Sequence, residues 1–157
     1  MNSFHDIYFF IRPRRFGKSL FLSMLHYYYD EKYKEEFREI FKDTWIVENK
    51  TKEANSYKIL RFNFSSIDSS RYKDSFYYYV RSRIEEFVER YELDVKLTVD
   101  NPIDLLDQLF LKLKKYQMRI YCLIDEYDNF ANELLSKDKE GYTKLVSEQE
   151  SLFKQFF

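Results

Sequence analysis

Three segments of the chain carry apolar residues at helical spacing, every three or four positions. They are residues 18–29, with Leu20, Phe21, Met24, Leu25 and Tyr28; residues 72–92, with Phe76, Val80, Ile84, Phe87 and Tyr91; and residues 100–117, with Leu106, Leu109, Leu113 and Tyr116. Such stripes are typical of amphipathic helices that bury one face. We therefore predict three helices, each packing its stripe against a core.

Three other runs are rich in apolar, β-forming residues. They are residues 7–11 (IYFFI), 57–66 (YKILRFNFSS) and 119–124 (RIYCLI). Strands that alternate with helices predict an α/β fold built on a mainly parallel sheet. Because 157 residues suffice for one core and are too few for two ordinary domains, we expect a single domain.

The remaining segments are shorter or more polar. We predict a short helix near residues 34–41, a surface loop at residues 47–56, and two further helices at residues 129–136 and 140–157. The third apolar stripe begins after Asn101 and Pro102, a capping residue followed by a residue suited to the first helical position.

The composition of the chain says more about the compartment in which the protein works than about what it does. The 26 Lys and Arg residues nearly balance the 27 Asp and Glu residues, so net charge gives no general argument for nucleic-acid or membrane binding. The N-terminus lacks the features of a signal peptide, and no run approaches the length of a membrane span. The single cysteine, Cys122, excludes an internal disulfide, and we expect a cytoplasmic protein.

Glycine is rare in this chain, which makes its placement informative. Only Gly17 and Gly141 occur, where average usage of roughly 7% would give about eleven. Gly17 directly precedes Lys18 and Ser19. Glycine adopts positive φ without steric cost and lets a ligand approach the backbone closely. Its position here indicates that the backbone requires one of these two properties.

The segment around Gly17 matches a phosphate-binding loop, or Walker A motif, at every position but the first. The pattern is G-x-x-x-x-G-K-[ST], and residues 12–19 read RPRRFGKS, so that Arg12 replaces the first glycine. A predicted strand precedes the loop and a predicted helix follows it, which is the context that the motif requires. The alternative is a chance Gly-Lys-Ser in a basic turn, which average residue usage produces in roughly one chain in ten.

A second motif follows the last predicted strand, where IYCLI leads directly into Asp125 and Glu126. In Walker B motifs an aspartate at this position holds Mg²⁺ and the glutamate beside it orients the attacking water. A strand that merely ends in an acidic turn is the alternative. Since both motifs lie at the carboxyl ends of predicted strands, where α/β sheets bind ligands, we interpret them together as one nucleotide site.

Three stretches, FIRPRRFGKSLFLSMLHYYYD, LRFNFSSID and YCLIDEYDNFANELL, resemble the AAA-ATPase-like family of predicted P-loop ATPases. In that family the Arg-Pro-Arg-Arg-Phe-Gly-Lys-Ser loop recurs, and a nuclease-like domain of the PD-(D/E)xK type often follows. The resemblance implies that Arg12 is a family variant of the loop. It also implies a three-layer P-loop fold, ATP as ligand and Mg²⁺ as cofactor.

The resemblance assigns roles by matching positions. The phosphate-binding residues would be Arg14, Arg15, Phe16, Gly17, Lys18 and Ser19; the metal residues would be Ser19 and Asp125; and Glu126 would be the catalytic base.

Family members usually begin further upstream and continue well beyond residue 157. An Asp-Glu pair also implies a further strand between the loop strand and the acidic strand, and no such strand follows residue 126 here. We therefore expect residues 1–157 to be the N-terminal portion of one ATPase domain, without its sensor strand, arginine finger or nuclease-like domain. Unpartnered sheet edges predict that the isolated chain self-associates.

Other polar residues permit two interpretations each. Arg12, Arg14 and Arg15 would neutralise phosphate charge or contact nucleic acid, or they form a solvated basic turn. A strand-end group, namely Asn63, Ser65 and Ser66, would contact the attacking water or build a turn.

Histidine and cysteine give no sign of a further site. His5 and His26 lack metal-ligand spacing, and Cys122 is interpreted as a small buried residue within a strand.

The leading hypothesis is therefore Mg²⁺-dependent ATP binding and hydrolysis. The alternative is a module that binds nucleotide without hydrolysis, or serves only as a docking platform, and regulates a downstream nuclease-like domain. Direct nucleic-acid binding through the arginine cluster is a third hypothesis, which the balanced net charge disfavours.

Overall fold

The computed structural model describes Tyr8, Phe10, residues 16–66, residues 72–126 and Thr143. Within these ranges the helices and strands are α1 (Lys18–Tyr29), α2 (Phe37–Ile40), α3 (Trp45–Glu48), β1 (Lys58–Asn63), α4 (Tyr72–Arg90), α5 (Pro102–Lys115) and β2 (Ile120–Asp125), with short 3₁₀ turns at Glu31–Tyr33 and Phe64–Ser66. The three predicted long helices, the short helix near residues 34–41 and two of the three predicted strands are confirmed.

Several predictions fall on residues outside these ranges. The predicted helix at 129–136 lies wholly outside them, and of the predicted helix at 140–157 only helical Thr143 is described. Of the predicted strand at 7–11, the described residues Tyr8 and Phe10 belong to no strand. Among the helices in the described ranges, none is long and apolar enough to cross a membrane.

The two described strands form a parallel pair. The register runs from Lys58 opposite Ile120 to Asn63 opposite Asp125, so both carboxyl ends lie at the same edge. A parallel pair needs a crossover connection, and α4 and α5 supply it. The predicted parallel α/β arrangement is thus confirmed for the described strands.

One face of the two strands packs against α4 and α5. Leu60 and Phe62 of β1 are fully buried there, beside the partly buried Ile120, Cys122 and Ile124 of β2. The helices contribute Phe76, Val80, Ile84, Phe87, Tyr91, Leu105, Leu106, Leu109 and Leu113, all buried. The predicted stripe of α4 is confirmed in full, and this cluster is the main core.

The other face of the strands packs against α1. Tyr29, the last residue of α1, stacks on Tyr121, with ring centroids 4.7 Å apart and ring planes 12° apart. Because side chains alternate along a strand, Tyr121, Leu123 and Asp125 share this face of β2. Leu123 and Asp125 are both buried.

A buried ion cluster joins the end of α1 to the end of α4. Asp30, which has no exposed surface, accepts from the Arg90 guanidinium at 2.8 Å and lies 3.3 Å from His26 Nε2. Its other carboxylate oxygen accepts from the Lys32 amide at 2.9 Å. Burial alone would raise the pKa of Asp30, but the hydrogen bonds from His26, Lys32, Arg90 and Tyr91 together lower it to about 2.

Two predicted buried faces need correction. Leu20 and Met24 of α1 are 68% and 40% exposed, and α1 contains no buried residue. Tyr116 is 56% exposed, because α5 ends at Lys115 and the chain turns before the ring reaches the core. Helical spacing identifies the apolar side of a helix but does not tell which part of that side a neighbouring element covers.

The predicted surface loop at residues 47–56 is also partly wrong. Its first two residues end α3, and Ala54 and Asn55 are buried. Asn55 adopts a left-handed φ of 51°. Its backbone amide donates to the Tyr28 carbonyl at 2.8 Å, and its side-chain Nδ2 donates to the Asp30 carbonyl at 2.9 Å. This loop therefore anchors the end of α1.

Candidate functional site

Gly17 adopts a conformation that favours glycine. Its φ of 72° and ψ of 23° are left-handed, and it directly precedes α1, whose first hydrogen bond runs from the Phe21 amide to the Gly17 carbonyl at 2.9 Å. A Cβ added at Gly17 would meet no atom within 4 Å. The backbone conformation, and not crowding by the protein, accounts for glycine at this position.

The first turn of α1 follows immediately, and its first backbone amides have no partner within the helix. In the described chain α1 has no side-chain cap, and its first turn contains no acidic residue. The first amides of a helix carry partial positive charge and favour an anion nearby. Lys18 is partly exposed, Ser19 is exposed, and Phe16 is 64% exposed.

The loop residues directly before Phe16 lie outside the described ranges. Arg12, Arg14 and Arg15 lie outside the described residues, so their predicted contacts with phosphate stay predictions. Among the described residues, no hydrogen bond or ion pair joins Lys18 or Ser19 to Asp125.

Asp125 is the last residue of β2 and is almost wholly buried. Its side chain is 4% exposed, and its Oδ2 has no hydrogen-bond partner within the described part of the chain. A buried carboxylate oxygen without a partner is costly, since desolvation is not compensated. A cation at this oxygen would supply the missing interaction, so the residue fits the metal role that the sequence predicts.

Glu126 follows Asp125 and leaves the strand with a left-handed φ of 55°. For a residue other than glycine or asparagine this conformation costs about 1 kcal/mol. It turns the chain sharply at the carboxyl edge of the sheet, and the Glu126 side chain is partly exposed there. A partly exposed carboxylate beside a buried one suits the separate roles predicted for a water-orienting residue and a metal residue.

Asn63 is the register partner of Asp125 at the carboxyl end of β1. Its Oδ1 accepts from the Ser65 amide at 3.1 Å. This hydrogen bond builds a local turn, which is one of the two roles predicted for Asn63 from the sequence. Its own amide donates to the Tyr79 hydroxyl at 2.6 Å. Tyr79 was not among the residues singled out from the sequence, and its position in the row Tyr77-Tyr78-Tyr79 gives no signal that would distinguish it.

Other reactive groups lie away from this edge. Burial raises the pKa of the Cys122 thiol, which is unfavourable for a nucleophile. No group of three or more His, Cys, Asp or Glu side chains within the described ranges is arranged to hold a metal. A pocket of about 210 Å³ lies beyond the ends of α4 and α5; its lining residues are Leu93, Asp94, Val95, Tyr116 and Met118.

Comparison with known proteins gives one match. The family model described as Predicted AAA-ATPase, AAA-ATPase-like, matches residues 1–157, the whole of the chain. A search of curated proteins and a search of solved structures each found no match. The family match agrees with the resemblance carried by the loop around Gly17 and by the acidic pair after β2. The chain therefore belongs to the AAA-ATPase-like family of predicted AAA-ATPases.

Proposed function

We propose that the chain binds ATP with Mg²⁺ and hydrolyses it in a three-layer P-loop fold. In this fold α4 and α5 lie on one face of the sheet and α1 lies on the other. The observation that carries the proposal is the buried Asp125 carboxylate, whose Oδ2 has no partner in the described chain. It lies at the carboxyl edge of a parallel sheet, where α/β proteins bind ligands.

The direction of α1 supports a common site for Gly17 and Asp125. The end of α1 lies at the amino ends of the strands, since Tyr29 contacts Tyr57 and Tyr121 there. The helix also packs against both strands. We infer that α1 runs antiparallel to them, which directs its first turn toward the edge that carries Asn63 and Asp125.

The residues at the start of α1 would bind the phosphates. The amides of Gly17, Lys18 and Ser19 present donors at the positive end of the helix. The Lys18 ammonium has no ion-pair or hydrogen-bond partner in the described chain, which leaves it available to a phosphate. Arg14, Arg15 and Phe16 would complete the loop.

Ser19 and Asp125 would hold Mg²⁺ as the predicted metal residues. The exposed hydroxyl and the buried carboxylate are both oxygen ligands, which Mg²⁺ prefers. When bound, Mg²⁺ neutralises charge on the β- and γ-phosphate oxygens.

Glu126 would orient the attacking water and accept its proton. Catalysis in this class rests mostly on positioning and charge stabilisation, so the sheet edge must hold Asp125 and Glu126 in fixed relation. The choice of ATP over GTP rests on the family.

The test is a Mg²⁺ titration of ATP-analogue binding in Asp125→Asn and in Asp94→Asn, an exposed control. We expect Asp125→Asn to abolish the gain in affinity that Mg²⁺ produces, while Mg²⁺-free binding remains. The control should retain the full gain. A Mg²⁺-dependent gain that survives in Asp125→Asn would overturn the assignment of the metal residue.

A further inference from the structure

Two backbone amides of β1 that point away from β2 donate to tyrosine hydroxyls, one of Tyr79 in α4 and one of Tyr91, the residue that follows α4. Lys58 donates its amide toward β2, to the Arg119 carbonyl at 2.9 Å, so the amides of Ile59 and Asn63 face the opposite edge. The Ile59 amide donates to the Tyr91 hydroxyl at 2.7 Å. The Asn63 amide donates to the Tyr79 hydroxyl at 2.6 Å.

The two tyrosines hold opposite ends of one strand. Asn63 lies four positions after Ile59, a distance of about 13 Å along a strand. Tyr91 bonds the amino end of β1, far from the proposed nucleotide site. Tyr79 bonds the carboxyl end, at the residue that lies opposite Asp125.

The Tyr79 ring is itself held in place. It lies against the Phe62 and Phe64 rings, with centroid distances of 6.5 and 5.8 Å, and the Arg83 guanidinium lies 5.6 Å from its centroid. Burial raises the pKa of Tyr79, so the hydroxyl stays protonated and neutral at physiological pH. A fixed neutral hydroxyl is a suitable acceptor for one backbone amide.

We propose that Tyr79 is a positioning residue of the nucleotide site, which holds the carboxyl end of β1 and through it the placement of Asp125. This inference rests on the proposed function. The reason is that metal residues must be held within about 0.5 Å of their working geometry by the groups around them. Asn63 and Asp125 are the last register pair, and the Tyr79 hydroxyl and the local turn are among the contacts that hold β1 at Asn63.

Tyr79→Phe and Tyr91→Phe provide a matched test, since each removes one hydroxyl from one end of the same strand. Binding of a non-hydrolysable ATP analogue would be measured with and without MgCl₂, at temperatures where each variant is folded. We expect Tyr79→Phe to weaken Mg²⁺-dependent binding about three- to tenfold, the effect of one hydrogen bond. Mg²⁺-free binding should stay unchanged in Tyr79→Phe, and both constants should stay unchanged in Tyr91→Phe.

Equal effects of the two substitutions, or no effect of either, would overturn the positioning role while leaving the nucleotide site intact. Absence of Mg²⁺-dependent binding in the parent chain would instead overturn the proposed function, and the inference with it. Hydrogen exchange in the parent gives a measurement that does not depend on the variants folding. Mg²⁺ with the analogue should slow exchange of the Asn63 amide and leave the Ile59 amide unchanged; equal slowing of both amides would contradict the inference.

Discussion

Tyr29 and Tyr121 stack face to face, with centroids 4.7 Å apart, and fasten the end of α1 to the start of β2. The pair is separated by most of the chain, so it is one of the contacts that place α1 on its face of the sheet. Burial raises the pKa of both Tyr29 and Tyr121, so both rings remain neutral at physiological pH. They attract each other through dispersion and the quadrupole of the π-system.

We predict a measurable coupling between these two rings. In a double-mutant cycle with Tyr29→Leu and Tyr121→Leu, the coupling in unfolding free energy should be about 1 kcal/mol, as for other aromatic pairs. Tyr29→Leu combined with Tyr116→Leu, an exposed residue of the turn after α5, should be additive. Additive behaviour of the stacked pair in denaturant unfolding would contradict the placement of α1.

A second prediction concerns acid stability through Asp30. The pKa of Asp30 is about 2 in the folded chain and 3.8 ordinarily, so the folded state binds the proton less readily than the unfolded state. The contribution of the Asp30 carboxylate to the free energy of unfolding is therefore present above about pH 4 and is lost as the pH falls toward 2. The loss should be about 2 kcal/mol.

Asp30→Asn isolates this contribution. The variant should be less stable at pH 7 by about 3 kcal/mol, because Arg90 loses its buried partner. It should also lose less stability than the parent between pH 4 and pH 2. Asp100→Asn is the control, since that carboxylate is fully exposed and pairs with Arg81 at the surface. Parallel pH curves for all three chains, measured by urea unfolding, would contradict the assignment.

A third prediction separates the folding role of Gly17 from its binding role. Gly17→Ala should cost about 1 kcal/mol of unfolding free energy, because φ is positive and a Cβ at this position meets no neighbour. Gly17→Asn should cost less, since asparagine tolerates the left-handed conformation.

Both Gly17 substitutions should weaken ATP-analogue binding beyond their effect on folding, because a side chain would stand where phosphate approaches the backbone. Unchanged binding at full folding would show that phosphate does not approach this residue.

A fourth prediction separates hydrolysis from binding alone. Glu126→Gln should retain Mg²⁺-dependent nucleotide binding and lower turnover at least about 100-fold, the usual effect of losing a general base. Glu92→Gln is the matched control, since Glu92 has a similar left-handed φ of 51° and lies on the surface. Phosphate release with ATP would be measured for both. If the parent itself shows no turnover, the non-hydrolysing module becomes the better hypothesis.

The sequence pattern predicted well those parts of the fold whose apolar residues all enter the main core. Phe76, Val80, Ile84, Phe87 and Tyr91 are all buried, because α4 packs against both β1 and α5. The end of β2 at Asp125 was also predictable, since an apolar run is followed directly by two acidic residues, Asp125 and Glu126.

Other features depend on contacts distant in the chain, which local pattern does not encode. Leu20 and Met24 share the apolar side of α1 yet are exposed, while Tyr29 of the same helix stacks on Tyr121 of the sheet. Asn55 in a polar stretch is buried because it satisfies the Tyr28 and Asp30 carbonyls. The role of the Tyr79 hydroxyl depends on the Asn63 amide, which lies sixteen residues away in the chain and donates to it.

The most direct test of the central claim is equilibrium binding of a fluorescent ATP analogue, with and without Mg²⁺, to the parent chain and to Lys18→Ala. Lys114→Ala, an exposed lysine of α5, is the charge-matched control. We predict micromolar, Mg²⁺-dependent binding in the parent and in the control, and its loss in Lys18→Ala. Equal binding by all three chains, or none by the parent, would contradict a phosphate-binding loop at Gly17.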